Sequence, residues 1–469
     1  MKIEDLKHVE VPIDNGVEGA NVLVLDTGAL ISAEDQAMLM ALHSRNPAGV
    51  RSHLAKLAQA GSGEFMDRFY VGYGHGSIGD CGNTAVFVEG VSMLAAKAIQ
   101  DSALYAGQEC STRYIDFSNQ PFLNPETGER AIQIDEAYAE LRSFYLNSFG
   151  QVVEDLKRRY PDSKKEGEVW EKAINARAFD ILRGFLPAGA TTNVAWNTNL
   201  RQARDRLLVL RNHPLAEVRT IAESLEQALK QHHPHSFGGK RYEETEDYMA
   251  RVMQEDYYLE GDEIHIPRDK LRVDADKLDA RYLKRYEQVL RTRPNSKTEL
   301  PKFLAQAGTI DIRFLLDFGS FRDIQRHRAT TIRMPLHSTY YGMEPWYINE
   351  LPEDIQGEAR RLSESIDNKF SSPENIRGEG RLSAQYGIPM GYLGACAVTG
   401  DLPAIVYLLE LRSTTPVHPT LRAQAIEASR QLTGRFVRSG IGLALFPDMS
   451  DSKFDTTRGL HDIVERKVA

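Results

Sequence analysis

Two kinds of periodicity alternate along the chain, and they do so twice. From 309 to 316 the residues TIDIRFLL place Ile310, Ile312, Phe314 and Leu316 at every second position, the pattern of a strand with one buried face. TAVFVEGV over 84–91 predicts a strand of the same kind. Ser92 and Asp317 follow these segments. Both are helix-capping types, whose side-chain oxygens accept from the backbone N–H groups of a first helical turn. Further on, the apolar spacing lengthens to three or four. Tyr138, Leu141, Tyr145, Phe149, Val152, Leu156 and Tyr160 step along one helical face, and Ile355, Ala359, Leu362, Ile366 and Phe370 do so later.

The correspondence extends to local detail. Residues 186–229 and 388–428 each place a proline, Pro187 or Pro389, before a small-residue segment. Each then continues into a helix ending in Leu-Arg, at Arg211 or Arg412, and into a second helix with Pro214 or Pro419 near its first turn. Ser111-Thr-Arg-Tyr114 answers Ser338-Thr-Tyr-Tyr341. The pattern predicts an α+β fold of two diverged copies facing each other as a pseudo-dimer. The first copy spans 1–240 and the second 241–469, the latter including a polar connecting segment to about 300.

Composition narrows the setting. Hydrophobic residues make up 42% and charged residues 26%, a globular balance that argues against disorder. A net charge of −9 disfavours a general nucleic-acid coat while leaving room for a local cationic pocket. No run approaches the roughly 20 apolar residues of a membrane span, and MKIEDLKHVEVPIDNG lacks a secretory core. Cys81, Cys110 and Cys396 are scattered without metal-ligand spacing, so no metal is expected and a reducing, cytoplasmic setting is.

Against this background two short segments carry chemistry. Arg326-His327-Arg328 stands where the helix after the second strand is expected to end, and Glu109-Cys-Ser111-Thr112-Arg113-Tyr114 stands in the first copy. Together they resemble the split signature of the flavin-dependent thymidylate synthases. Glu109–Tyr114 matches the Glu-x-Ser-x-Arg-Tyr portion without a gap. Asp101-Ser102-Ala103 stands where that copy should carry Arg-His-Arg. The second copy keeps the cluster, but Ser338 lies further on than in the family and Tyr340 replaces the expected arginine. Gly74–Asp80 resembles the family's Gly-His segment, Asn199 and Arg201 its Asn-x-Arg pair, and Arg183 a nucleotide-binding arginine that is Gln385 in the second copy.

The resemblance implies one composite site per chain, using FAD as cofactor and NADPH and methylenetetrahydrofolate as co-substrates. It implies C5 methylation of a uracil nucleotide, with dUMP as the default pyrimidine nucleotide. Arg326 would polarise the uracil ring as the catalytic residue. Glu109, Ser111, Thr112, Arg113, Arg183 and Arg412 would hold the substrate, because an arginine fork grips phosphates and carbonyls by paired hydrogen bonds. His75, Ser77, Asp80, Asn199, Arg201, His327 and Arg328 would hold the flavin. A homodimer mimicking the family's tetramer is expected, with no membrane or nucleic-acid partner.

The same residues admit plainer readings. Arg326–Arg328 suits a solvated helix end, Glu109 with Ser111 local capping, and His75 a turn. Cys110 is expected as a buried structural thiol and Arg211 in a salt bridge. The alternatives for the whole chain are a non-catalytic nucleotide-binding or flavin-binding relative, and the same chemistry on another pyrimidine in secondary metabolism.

Overall fold

The structure, a computed structural model, describes residues 8–25, 31–45, 50–72, 76–112, 115, 117–257, 266, 271–295, 298–376, 378, 380–450 and 454–456. Its strands are β1 (His8–Pro12), β2 (Asn21–Leu25), β3 (Asn83–Ser92), β4 (Ala106–Glu109), β5 (Thr191–Asn199), β6 (Arg272–Asp274), β7 (Thr309–Asp317), β8 (Thr331–Arg333) and β9 (Leu393–Asp401). The helices that carry the packing begin with α1 (Met93–Gln100), α2 (Gly128–Arg159), α3 (Glu168–Leu182), α4 (Leu200–Arg211) and α5 (Ala216–His232). They continue with α6 (Phe318–Ile324), α7 (Glu353–Phe370), α8 (Arg381–Gly387), α9 (Leu402–Arg412) and α10 (Pro419–Arg438). The fold is α+β, and its compact units interleave along the chain. One contains residues 1–110, 120–125 and 189–257, and the other 111–119, 126–188 and 258–469.

The first unit is built on an antiparallel sheet of order β1-β2-β3-β5-β4. Strand alternation buries Val22, Val24, Val86 and Val88, and α5 packs on β1 and β2 with Ile221, Leu225 and Ala228 also buried. A bulge between Val88 and Val91 holds Gly90 at φ +68°, where a Cβ would meet that of Ala20 at 2.9 Å. Ser92 caps α1 by accepting from Ala95 N–H at 3.0 Å.

The second unit is built on an antiparallel sheet of order β6-β7-β9-β8. Ile310, Ile312, Phe314 and Leu316 lie in one core with Leu402, Ile405, Leu409, Leu421 and Leu432 from α9 and α10. Burying each such side chain contributes about 1.5–3 kcal/mol, so the alternation in β7 and the helical periods lock together. Asp317 caps α6 by accepting from Ser320 N–H at 2.8 Å. The long helix α2 packs here too, against α3, α7 and α8. It begins at Gly128, well before the apolar period at Tyr138 starts, and Tyr160 lies just past its end.

Each unit runs a strand into a capped helix, β3 into α1 and β7 into α6, and a later strand into a helix pair, β5 into α4 and α5 and β9 into α9 and α10. Within the second unit, Pro187 and Pro389 stand opposite one another in an antiparallel bridge. Ala188 N–H donates to Ile388 O at 2.9 Å and Met390 N–H to Leu186 O at 2.8 Å. Among the described residues, no helix is long and apolar enough to cross a membrane.

Candidate functional site

β7 delivers Asp317 to the start of α6, and α6 carries Arg322 and Asp323 toward its end. The helix stops at Ile324 with Gln325 as its C-cap, so Arg326-His327-Arg328 occupies the turn that follows rather than the helix end expected from the sequence. His327 N–H donates to Ile324 O, and its carbonyl accepts from Thr330 N–H and from the Thr330 hydroxyl at 2.8 Å. This tight turn divides the cluster: Arg326 and Arg328 are exposed and His327 is buried between them.

α9 brings Arg412 to the same turn from the other side. Its Nε donates to His327 Nε2 at 2.7 Å, and an Nη2 hydrogen bond reaches the Asp323 carbonyl. Burial, reinforced by the Arg412 charge, pushes His327 down to about 3. The imidazole is therefore neutral, and since Nε2 accepts, its single proton sits on Nδ1. Burial also lowers the pKa of Arg412, against the pull of Asp323. At Asp323 burial opposes ionisation, but Arg183, Arg412, Arg326 and Arg322 outweigh it and hold the carboxyl below the usual range.

Arg183 follows α3 directly and is buried, 9% exposed. Burial disfavours its charge, yet Tyr347, Asp323 and Asp317 outweigh that and raise its pKa. Its Nε and Nη2 have no hydrogen-bond partner among the described residues, an arrangement that is costly unless an acceptor arrives. Four guanidiniums therefore converge on Asp323, and one of them, Arg183, also faces Asp317.

The remaining expected substrate residues are placed less tightly. Glu109 is buried at the end of β4, where Gln100 Nε2 donates to its Oε2 at 2.7 Å. Thr112 is buried and Ser111 half-buried, both in the second unit, while Arg113 lies outside the described residues. Cys110 is half-buried and in no disulfide among the described residues, not fully enclosed as expected. The loop before Ser338 is pinned differently: His337 N–H donates to Gln385 Oε1 at 2.9 Å and its Nε2 to Pro389 O at 2.9 Å. Gln385, expected from the sequence as the counterpart of Arg183, thus serves a structural amide role.

Of the expected flavin residues in the first unit, Asp80 and Arg201 are brought together at 2.9 Å. Gly76 lies so close that a Cβ there would be 3.2 Å from Arg201 Nε. Asn199 caps α4 by accepting from Gln202 N–H at 2.8 Å, and Ser77 lies exposed in the short helix Gly76–Gly79. His75 lies outside the described residues. Arg211 is tied to Glu246 through both Nε and Nη2, the salt bridge expected of it.

Sequence reasoning missed Asp317, Asp323 and Tyr347 as site residues. Asp317 was read only as a cap. The i, i+3 spacing of Asp323 to Arg326 was a usable signal, since it sets a carboxylate one turn from the cluster. Tyr347 carried none, because nothing local ties it to Arg183.

Residues 30–235 match the family model described as thymidylate synthase complementing protein. Over this stretch the chain is similar to that family. Relatives extend the likeness beyond the matched residues. A UPF0159 protein of Chlamydia muridarum is 24% identical over 425 residues, covering 79% of this chain and 78% of its own. One from Chlamydia pneumoniae is 24% identical over 419 residues with the same coverage. The UPF0159 protein Ta1429 of Thermoplasma acidophilum is 22% identical over 445 residues, 80% of this chain and 87% of its own. Arg183 falls inside the family match, whereas Arg326–Arg328 and Arg412 lie beyond it.

Proposed function

We propose that this chain is a flavin-dependent enzyme that methylates C5 of a uracil nucleotide, dUMP by default, and that its sequence is a tandem pseudo-dimer of thymidylate synthase complementing units. The observation that carries the reading is the buried Arg183, with Nε and Nη2 unpartnered, among Arg322, Arg326 and Arg412. Four guanidiniums against two carboxylates leave an excess close to two positive charges. A phosphate monoester at neutral pH carries about −1.5 to −2. Arg183 comes from the first sequence repeat and Arg326 and Arg412 from the second, and all three lie in one compact unit. The facing prolines Pro187 and Pro389 support the two-fold relation of the repeats.

In this reading Arg183 and Arg412 hold the nucleotide, and exposed Arg326 polarises a uracil carbonyl so that C6 accepts hydride and C5 acts as nucleophile. The donor set fits a flavin: Arg328 offers a fixed cation for a pyrophosphate, and neutral His327 an Nδ1–H for a ring carbonyl. Bound FAD would supply the hydride, with NADPH as its reductant and methylenetetrahydrofolate as the one-carbon source.

The test is the visible spectrum of purified protein with added FAD, followed by tritium release from 5-tritiated dUMP with both co-substrates. Flavin uptake with release that is lost in Arg326→Ala is expected. Protein that takes up no FAD and releases no tritium would overturn the reading. Nucleotide binding without release would favour a non-catalytic relative.

A further inference from the structure

The burial of Arg183 raises the question of what aims it. Tyr347 is fully buried and its hydroxyl donates to Asp317 Oδ2 at 2.7 Å. The phenol oxygen, its proton committed to Asp317, is left as an acceptor toward Arg183. Asp317 is fixed in turn by Ser320 N–H at 2.8 Å on Oδ2 and the Thr420 hydroxyl at 2.6 Å on Oδ1. Ser320 Oγ and His418 Nδ1 each lie 2.8 Å from Thr420 Oγ1, and His418 Nε2 reaches Asp180 O at 3.3 Å. A buried chain of hydrogen bonds therefore runs from α10 through the α6 cap to the arginine.

Two glycines show that the packing is built around this contact. A Cβ at Gly319 would lie 3.2 Å from Asp317 Oδ2 and 3.5 Å from both Arg183 Nε and the Tyr347 hydroxyl, so the three groups converge on one point. A Cβ at Gly184, the residue after Arg183, would lie 2.3 Å from the Tyr347 ring. The backbone beside Arg183 is thus pressed against the phenol, and Gly391 N–H holds it there by donating to Gly184 O at 2.9 Å.

We propose that Tyr347, anchored by Asp317, is a positioning residue that aims Arg183 at the phosphate of the bound nucleotide. The proposal rests on the reading of the arginine cluster as a nucleotide phosphate site. Asp317 fixes the phenol, the phenol holds one side of the guanidinium, and the unpartnered Nε and Nη2 are left for the ligand. Truncating the hydroxyl leaves the ring and its packing in place but frees the guanidinium to rotate.

The test is a double-mutant cycle on affinity for dUMP and, in parallel, for inorganic pyrophosphate, measured by calorimetry on the full chain. Tyr347→Phe is expected to weaken binding of either ligand about tenfold, the loss expected for one hydrogen bond to a charged group. Arg183→Gln weakens it at least as much, and the double variant no further than Arg183→Gln alone, because Tyr347 acts only through Arg183. In turnover, Tyr347→Phe raises KM with kcat little changed. Should Tyr347→Phe fail to fold, Asp317→Asn carries the same cycle, keeping the shape of the acceptor without its charge. Wild-type affinity in Tyr347→Phe, or losses that multiply in the double variant, overturn the proposal. Wild-type protein that binds pyrophosphate but not dUMP sinks the dUMP reading and leaves the cycle to be judged on pyrophosphate. Binding of neither ligand by wild type sinks both.

Discussion

Replacing His327 by Gln should remove part of the acid sensitivity of this protein. The His327 ring is buried, accepts from Arg412 Nε at 2.7 Å, and is held down to about 3 from an ordinary value of 6.5. In the unfolded chain it protonates normally, so between pH 6.5 and 3 the unfolded state binds the extra proton. The stabilising contribution is complete above 6.5 and is lost as pH falls through that window. For one such group the loss between pH 7 and pH 5 is about 2 kcal/mol. Gln keeps an oxygen that Arg412 can donate to but does not titrate. The assay is urea unfolding of wild type and variant at pH 7 and pH 5. The drop in stability should be smaller in the variant by about 2 kcal/mol, whatever the offset between them at pH 7. His213, also depressed by burial and then by Lys97, Arg206 and Arg219, adds to the acid sensitivity of both proteins and cancels in the comparison. Equal drops would show that His327 is not a buried neutral imidazole, and the Nδ1–H donor assigned to it would go too.

Further outcomes follow from other contacts. Arg293 is buried and binds Glu410 through two nitrogens, with further bonds to Ala444 O at 2.7 Å and Thr298 O at 2.6 Å. Arg293→Met should cost about 3–5 kcal/mol, as when one member of a buried pair is removed, read as a lowered urea midpoint. Gly184→Ala forces a methyl group into the Tyr347 ring and should cost about 1–3 kcal/mol, with weaker dUMP binding in calorimetry; unchanged affinity and midpoint would contradict the close approach. Raising ionic strength from 0.05 to 0.5 M should weaken dUMP binding, less steeply in Arg326→Ala because the exposed Arg326 is the most screened of the four cations; identical salt slopes would remove Arg326 from the phosphate field.

The elements legible in the sequence were those with a local cause. Alternation at Ile310, Ile312, Phe314 and Leu316 gave β7, and the oxygens of Ser92 and Asp317 gave the caps of α1 and α6. The Leu-Arg ends at Arg211 and Arg412 fall where α4 and α9 stop. What was not legible depends on residues distant in sequence. Nothing near Tyr347 announces its bond to Asp317, and nothing near Gly184 announces the ring lying over it. The turn at Arg326–Arg328 was misplaced by a few residues because a cationic run suits a helix terminus on dipole grounds. Here the backbone of His327 closes on Ile324 and Thr330 and lifts the flanking arginines out of the helix.

In the tandem reading proposed above, the fate of the matched positions has a physical logic. A buried guanidinium with unpaired nitrogens is tolerable only where a ligand repeatedly pairs it, since each unmet donor costs about 1–3 kcal/mol. Arg183 keeps that arrangement, and its neighbours Asp317, Asp323 and Tyr347 hold its charge in place. At the matched position of the second repeat the residue is Gln385, whose carbonyl accepts from His337 N–H and fixes the loop before Ser338. In that reading a copy relieved of binding would have no ligand to offset a buried cation, so a neutral amide with an internal partner would be the more stable occupant. The exchange also pins the Ser338 loop in a conformation set by the protein rather than by a substrate. The same reasoning predicts that Gln385→Arg gains no nucleotide affinity. It would strand a cation where His337 N–H loses its acceptor, and the measurable result should be a lower urea midpoint with unchanged dUMP binding. A second dUMP equivalent bound by that variant would contradict the argument.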